Sequence, residues 1–193
     1  LTYWDGKKII GFDTGPGNNL IDYCMKRNFN LDYDDKGFHA SKGNVNFNLI
    51  KKYTEDLYYS KSPPKSLERK YLFENKHLKE IYNLDKYDCI ATLCALTSTT
   101  IKMGVKLLPK KPNVTILVGG GQKNKHLVKL VKKTINSSLI CTGEEISLDS
   151  DYIEAELIAF LAGRKIYNLP STFPDTTGVK RNTILGDLIK FKS

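Results

Sequence analysis

The sequence of 193 residues contains no apolar run approaching the ~20 residues that a membrane-spanning helix requires, which excludes an integral helical membrane protein and a membrane partner. Arginine is scarce. Four of the 30 basic residues are Arg, the side chain best suited to bidentate phosphate and base recognition, so a formal charge of +9 does not by itself point to nucleic acid. Acidic residues are missing altogether between Cys89 and Gly143, a stretch holding nine lysines, and that one segment carries the whole positive excess. The four cysteines form no CxxC pair and have no His at ligand spacing, which excludes a thiolate metal site; they read as reduced thiols of a cytosolic, cytoplasmic protein. His39, His77 and His126 are isolated from one another and read as structural. The acidic run Asp32 to Asp35 lacks the Glu that would close a calcium loop, so no metal-ligating residue is assigned. The chain opens Leu-Thr-Tyr-Trp-Asp-Gly without Met and without the basic-then-apolar pattern of a signal peptide, as a trimmed or partial product would.

Forty per cent hydrophobic residues is enough to fill a core at this length. The run Lys7 to Asp13 predicts a strand stopped by Thr14-Gly-Pro-Gly17, and Leu20, Ile21, Cys24 and Met25 continue at helical spacing. Val45 to Tyr53 predicts a short amphipathic element, and Ser60 to Pro64 an extended connection. A long helix is expected from Asp85 to about Val105, packed against a sheet. Val114 to Val118 is the clearest strand, its unbroken apolarity predicting burial on both faces. Asn124 to Ile135 and Ser138 to Cys141 complete a β-α-β unit, and Asp151 to Tyr167 predicts a final long helix. Alternating strands and helices argue an α/β fold in one domain without a linker.

Two glycine-rich turns follow two apolar strands, Asp13-Thr-Gly-Pro-Gly-Asn18 and Gly119-Gly-Gly-Gln-Lys-Asn124, and each precedes a helix. Glycines let backbone N–H groups approach an anion closely, and a helix N-terminus adds partial positive charge. Either turn alone serves equally as a tight connection; two together, with lysines around the second, favour a nucleotide. Neither is a P-loop or a GxGxxG fingerprint. Asp13, at the end of its strand, is placed to act as a general base, to orient a metal ion or to cap the turn. Glu154, early in the last helix, shares a face with Leu157 and Ile158, an unusual place for a carboxylate if that face is packed.

Gly11-Phe-Asp-Thr-Gly-Pro-Gly-Asn18 with Leu20-Ile-Asp22, Lys36-Gly37 ahead of Ala40 to Val45, Pro63-Pro-Lys-Ser66 with Arg69, Val118 to Asn124, Ile153-Glu-Ala155, and Leu169-Pro170 ahead of Thr177-Gly178 occur in an order that resembles the anhydro-N-acetylmuramic acid kinases. The likeness covers nearly the whole chain and corresponds to the C-terminal half of that family. One departure is Leu67-Glu68, where the family continues Thr-Gly. The resemblance implies the C-terminal lobe of an actin, hexokinase and Hsp70-like (ribonuclease H-like) sugar-kinase fold over residues 1–193. It also implies an N-terminal lobe absent from this chain, in the same or a separate polypeptide, with a homodimer as a further partner.

The implied activity is use of ATP and Mg2+ to open the 1,6-anhydro ring of anhydro-N-acetylmuramic acid with water and to phosphorylate the freed 6-hydroxyl, in cell-wall recycling. By position Asp13 would be the base that activates the water and Glu154 would help place it at the sugar. Thr14, Gly15, Gly17 and Asn18 would lie near the phosphates, and Gly119, Gly120, Gly121 and Asn124 along the nucleotide. Alone, the chain is expected to bind nucleotide weakly and turn over nothing. The competing readings are a kinase of the same superfold with another acceptor sugar and a non-catalytic remnant.

Overall fold

A computed structural model describes residues 1–135, 137–149 and 152–189. Two short strands, β1 (Thr2–Trp4) and β2 (Ile9–Gly11), form an antiparallel hairpin. The chain then turns through Gly15-Pro-Gly17 into α1 (Asn19–Phe29), which ends where Asn30 adopts a left-handed conformation, its backbone N–H donating to the Lys26 carbonyl and that of Leu31 to the Met25 carbonyl. A run of small helical pieces follows: α2 (Phe47–Thr54), α3 (Arg69–Glu74) and α4 (Leu78–Tyr82). The Pro63–Pro64 bond between α2 and α3 is cis.

The helix α5 (Lys86–Lys106) starts at Asp85, whose side chain accepts from the Tyr87 N–H at 2.9 Å. Every residue from Cys89 to Ser98 is buried. Here the structure corrects the expectation of a helix laid on a sheet: α1, α2, α4 and α6 (Lys125–Thr134) surround most of α5, and Ile101 and Val105 near its C-terminal end pack on the Leu127, Val131 and Ile135 cluster. A helix encircled in this way hides Thr92, Thr97, Ser98 and Thr100 as well as its aliphatic residues, and their hydroxyls serve as internal hydrogen-bonding groups.

The β-α-β unit forms as expected. The strands β3 (Val114–Leu117) and β4 (Leu139–Thr142) are parallel, with α6 (Lys125–Thr134) between them in sequence. Leu127, Val131 and Ile135 pack on Leu117 and Ile140. Burial of β3 on both faces does not hold: Val114, Ile116 and Val118 are 51%, 43% and 47% exposed, because α6 covers one face of the pair and nothing described covers the other. The hairpin and the parallel pair are separate two-stranded sheets.

The last long helix, α7 (Ile153–Ile166), buries no residue. Its predicted start at Asp151 lies outside the described residues. A short helix, α8 (Pro174–Thr177), brings Thr176 against Gly11 of β2. Among the described residues no helix is long and apolar enough to cross a membrane.

Candidate functional site

The two glycine turns stand side by side. Asn18 occupies the position ahead of α1 but its side chain makes no capping bond there; it lies against the second turn, so close that a Cβ added to Gly121 would sit 3.2 Å from the Asn18 Oδ1. The first turn is fixed on α5 by contacts that tolerate no extra atom. A Cβ on Gly15 would fall 2.3 Å from the Thr100 Oγ1, and a Cβ on Gly104 of α5 would fall 2.3 Å from the Thr14 Cγ2. The Thr97 hydroxyl donates to the Gly17 carbonyl at 2.7 Å. Gly17 and Gly119 have φ of +55° and +78°, a region that favours glycine, and a Cβ on either, or on Gly120, would meet open space. The outer rims of both turns are therefore accessible while their inner sides are clamped.

Asp13 is exposed and held at three points. Its N–H donates to the Lys65 carbonyl at 3.0 Å, its carbonyl accepts the Tyr58 hydroxyl at 2.7 Å, and its Oδ2 accepts the Leu67 N–H at 2.9 Å. The loop carrying these partners is itself anchored by Lys65, which is buried, donates to the Tyr58 carbonyl at 2.8 Å and stands 4.6 Å from the Tyr58 ring centre. Burial pushes the Lys65 ammonium below the usual lysine range, with repulsion from Lys61 adding to it. Burial likewise raises the Tyr58 phenol to about 12, and the nearby Asp13 charge adds to the shift. The loop's role was not read from the sequence. The signal available was a lysine directly after two prolines, a charged side chain on a stiffened segment. Because Asp13 is held by the Leu67 main chain, the loop can carry Leu67-Glu68 in place of Thr-Gly without losing that bond.

A cavity of 1120 Å³ opens between the hairpin and the parallel pair, and the turns stand at its wall. Asp13, Thr14, Gly15, Gly17 and Asn18 line it, as does Gly121 from the second turn. Gly119, Gly120 and Asn124 do not. Asn124 is buried and its Oδ1 accepts from the Leu127 N–H at 2.9 Å, capping α6, so its side chain is committed inward. Glu154 lies outside the cavity, exposed in the first turn of α7. The packed face inferred for it is bare in this chain: Leu157 and Ile158 are 52% and 65% exposed, since α7 has no layer to lie on among the described residues.

Other pieces of the sequence pattern meet around the same centre. Gly37 has φ of +75° and backs the second turn, where an added Cβ would lie 2.3 Å from the Asn124 Oδ1. Gly178, after Thr177, faces the Pro64 ring. Among the described residues no group of three or more His, Cys, Asp or Glu side chains could hold a metal ion, and Asp13 is the one carboxylate on the two turns.

Clamped glycine turns at two strand ends stand beside one exposed carboxylate and an adjoining cavity in an α/β protein, an arrangement whose backbone N–H groups can approach an anionic ligand. Residues 3–190 match the family model described as anhydro-N-acetylmuramic acid kinase, and the chain belongs to that family. Proteins of that name from Coxiella burnetii (strain RSA 493 / Nine Mile phase I), Zymomonas mobilis and Clostridioides difficile are 37%, 35% and 36% identical to it, over 93%, 91% and 93% of this chain. The matches cover 49%, 47% and 49% of those relatives, so the chain spans about half the length of the curated relatives it matches.

Proposed function

We propose that this chain is the C-terminal lobe of a ribonuclease H-like sugar kinase and supplies one wall of its active site. Completed by an N-terminal lobe, it phosphorylates 1,6-anhydro-N-acetylmuramic acid with ATP while water opens the anhydro ring. The observation that carries this reading is the pairing of the two glycine turns beside Asp13, on a chain belonging to a kinase family. Backbone N–H groups of the first turn, Thr14 to Asn18, face the transferring phosphates, and the rim at Gly119 to Gly121 takes the nucleotide, Asn124 acting beneath it as the cap of α6.

The Asp13 carboxylate removes the proton of the water that attacks the anomeric carbon. Its Oδ2 is already satisfied by the Leu67 N–H, which fixes the carboxylate plane and leaves Oδ1 for the water. Glu154 reaches the sugar once the other lobe covers α7. Magnesium would arrive held by the ATP phosphates: the one carboxylate on the two turns is Asp13, which is assigned to the water, so no residue of this chain is assigned to the ion. When bound, magnesium offsets the charge on the transferring phosphoryl group.

Titration calorimetry with ATP tests the nucleotide half of this proposal. The isolated chain binds ATP weakly, and Gly17→Val and Gly119→Val, which fill the open rims and force a branched residue into positive φ, abolish that binding. Undiminished binding in both variants contradicts it. A panel of anhydro and reducing amino sugars, offered with labelled ATP to the completed enzyme, tests the acceptor.

A further inference from the structure

Two of the four cysteines meet inside the core. Cys24 follows Leu20 and Ile21 on the buried face of α1, and Cys89 opens the fully buried stretch of α5. Their sulfurs stand 3.2 Å apart although 65 positions separate them in sequence, a gap that side-chain rotation closes to bonding distance. Both are free thiols. The other two cysteines have different neighbours: Cys94 Sγ accepts from the Asn124 amide at 3.9 Å, and Cys141 Sγ donates to the Thr115 carbonyl at 4.0 Å.

Core cysteines often pack as small hydrophobes and nothing more, but the surroundings of this pair make its two sulfurs unequal. The Cys24 thiol donates to the Cys89 sulfur, which holds Cys89 below the ordinary cysteine range against the effect of burial, and the Arg27 guanidinium adds to the lowering. The same bond, with burial, pushes Cys24 up. One sulfur keeps the proton and the other is the better nucleophile. Tyr82, at the end of α4, lies near both: burial raises its phenol and the charges of Cys24 and Cys89 add to the shift. Its hydroxyl is buried without a hydrogen-bond partner among the described residues, and so offers one to a small polar oxidant. The cover over this point is thin. The Tyr82 ring is 5.4 Å from the Tyr23 ring and 5.4 Å from the Arg27 guanidinium, and both of those side chains are exposed.

We propose that Cys24 and Cys89 are a redox couple, a dithiol that a hydroperoxide converts into a disulfide joining α1 to α5. The Cys89 sulfur attacks one peroxide oxygen and the O–O bond breaks, leaving a sulfenic acid on Cys89 and releasing the other oxygen as water with the Cys89 proton. The Cys24 sulfur then attacks that of Cys89, the S–O bond breaks, and the Cys24 proton leaves with the hydroxide as a second water. Two thiols give up two electrons and two protons, and one peroxide becomes two waters. The bond ties together the two supports of the first glycine turn: α1 begins at that turn, and α5 holds it through Thr97, Thr100 and Gly104.

The test treats the full chain, reduced and folded, with hydrogen peroxide, then unfolds it, alkylates the remaining thiols and maps its peptides without reductant. The expected map links the peptides of Cys24 and Cys89 and shows Cys94 and Cys141 alkylated, with all four alkylated once dithiothreitol is added. Because the bond closes a loop across 65 positions, the oxidised chain melts roughly 5 °C or more above the reduced one. Single variants read the order of events. Cys24→Ser, which has no second thiol to close the bond, accumulates a sulfenic acid at Cys89 that dimedone traps, whereas Cys89→Ser leaves Cys24 unmodified. Four alkylated thiols after peroxide, a link to Cys94 or Cys141, or a bond between two chains overturns the proposal. Trapping at Cys24 in place of Cys89 overturns the assignment of the attacking sulfur. Neither nucleotide nor sugar enters the experiment, so its outcome is independent of the function proposed above.

Discussion

Asp13 shows how a surface carboxylate is given one orientation without burial. The Tyr58 hydroxyl, the Lys65 carbonyl and the Leu67 N–H all hold it, and each belongs to the loop that Lys65 anchors from inside. Tyr58→Phe removes one hydrogen bond of 2.7 Å; its expected cost is about 1 kcal/mol of unfolding free energy, measured by urea titration. Such a variant is also expected to lower turnover of the proposed two-lobe enzyme while leaving ATP affinity unchanged, because it frees the Asp13 backbone and not the Thr14 to Asn18 turn. The glycines make a sharper prediction. Gly104→Ala and Gly37→Ala each thrust a methyl to 2.3 Å from a neighbouring side-chain atom, and Gly37 adds positive φ. Thermal denaturation should show losses of roughly 1–3 kcal/mol for each. Thr14→Gly, which removes the atoms facing Gly104, restores most of the loss in the first and none in the second.

At the level of elements, what could be read depended on whether an element satisfies itself locally. The turn at Thr14 to Gly17, the helix after it, α6 and the parallel pairing of β3 with β4 follow from periodicity and punctuation, since stripe and breaker lie within a few residues of one another; the Asn124 cap of α6, which the sequence reading assigned to the nucleotide instead, is local in the same way. Asn124→Ala tests this directly. Loss of the bond to the Leu127 N–H costs about 1 kcal/mol, read as a lower denaturation midpoint with unchanged slope.

Elements whose environment comes from elsewhere were misread. The apolarity of Val114 to Val118 and of Leu157 and Ile158 correctly reports surface that needs covering, but nothing in the pattern says whether the same chain supplies the cover. Helix α5 failed for the opposite reason, being surrounded by more helices than its aliphatic stripe suggested. The candidate site divides the same way. The turns and Asp13 were legible because glycine at a strand end has few uses, whereas Tyr58, Lys65 and Thr97 act through main-chain atoms that leave no pattern in sequence.

Across the whole molecule, the core is sealed around α5 and the incompletely covered surfaces are gathered at the sheet edges and α7. Sealing has a pH signature. Burial raises the phenols of Tyr53 and Tyr58 from 10.0 to about 12, so the folded state favours the neutral form. Their contribution to stability is complete below pH 10 and is lost as pH climbs from 10 towards 12. Lys65 works in the other direction, its lowered ammonium making a stabilising contribution as pH rises toward the ordinary lysine value of 10.5. Phenolate absorbance followed through an alkaline titration should show the Tyr53 and Tyr58 ionisations delayed in the folded chain and restored to ordinary values in urea.

The lysine-rich segment has a place in the same picture. Lys110 and Lys111 line the cavity, adding positive charge beside the proposed nucleotide site, and the segment as a whole carries the net +9.

The central claim is that this chain is one wall of a two-lobe kinase with Asp13 as its base. The most direct measurement is phosphorylation of 1,6-anhydro-N-acetylmuramic acid from labelled ATP, by the chain alone and by the chain combined with the half of the Coxiella burnetii relative that it does not match. The account predicts no turnover alone, turnover in the combination, and a loss of about 100-fold or more with Asp13→Asn at unchanged ATP binding. Equal turnover by the chain alone, or by the Asp13→Asn combination, contradicts it.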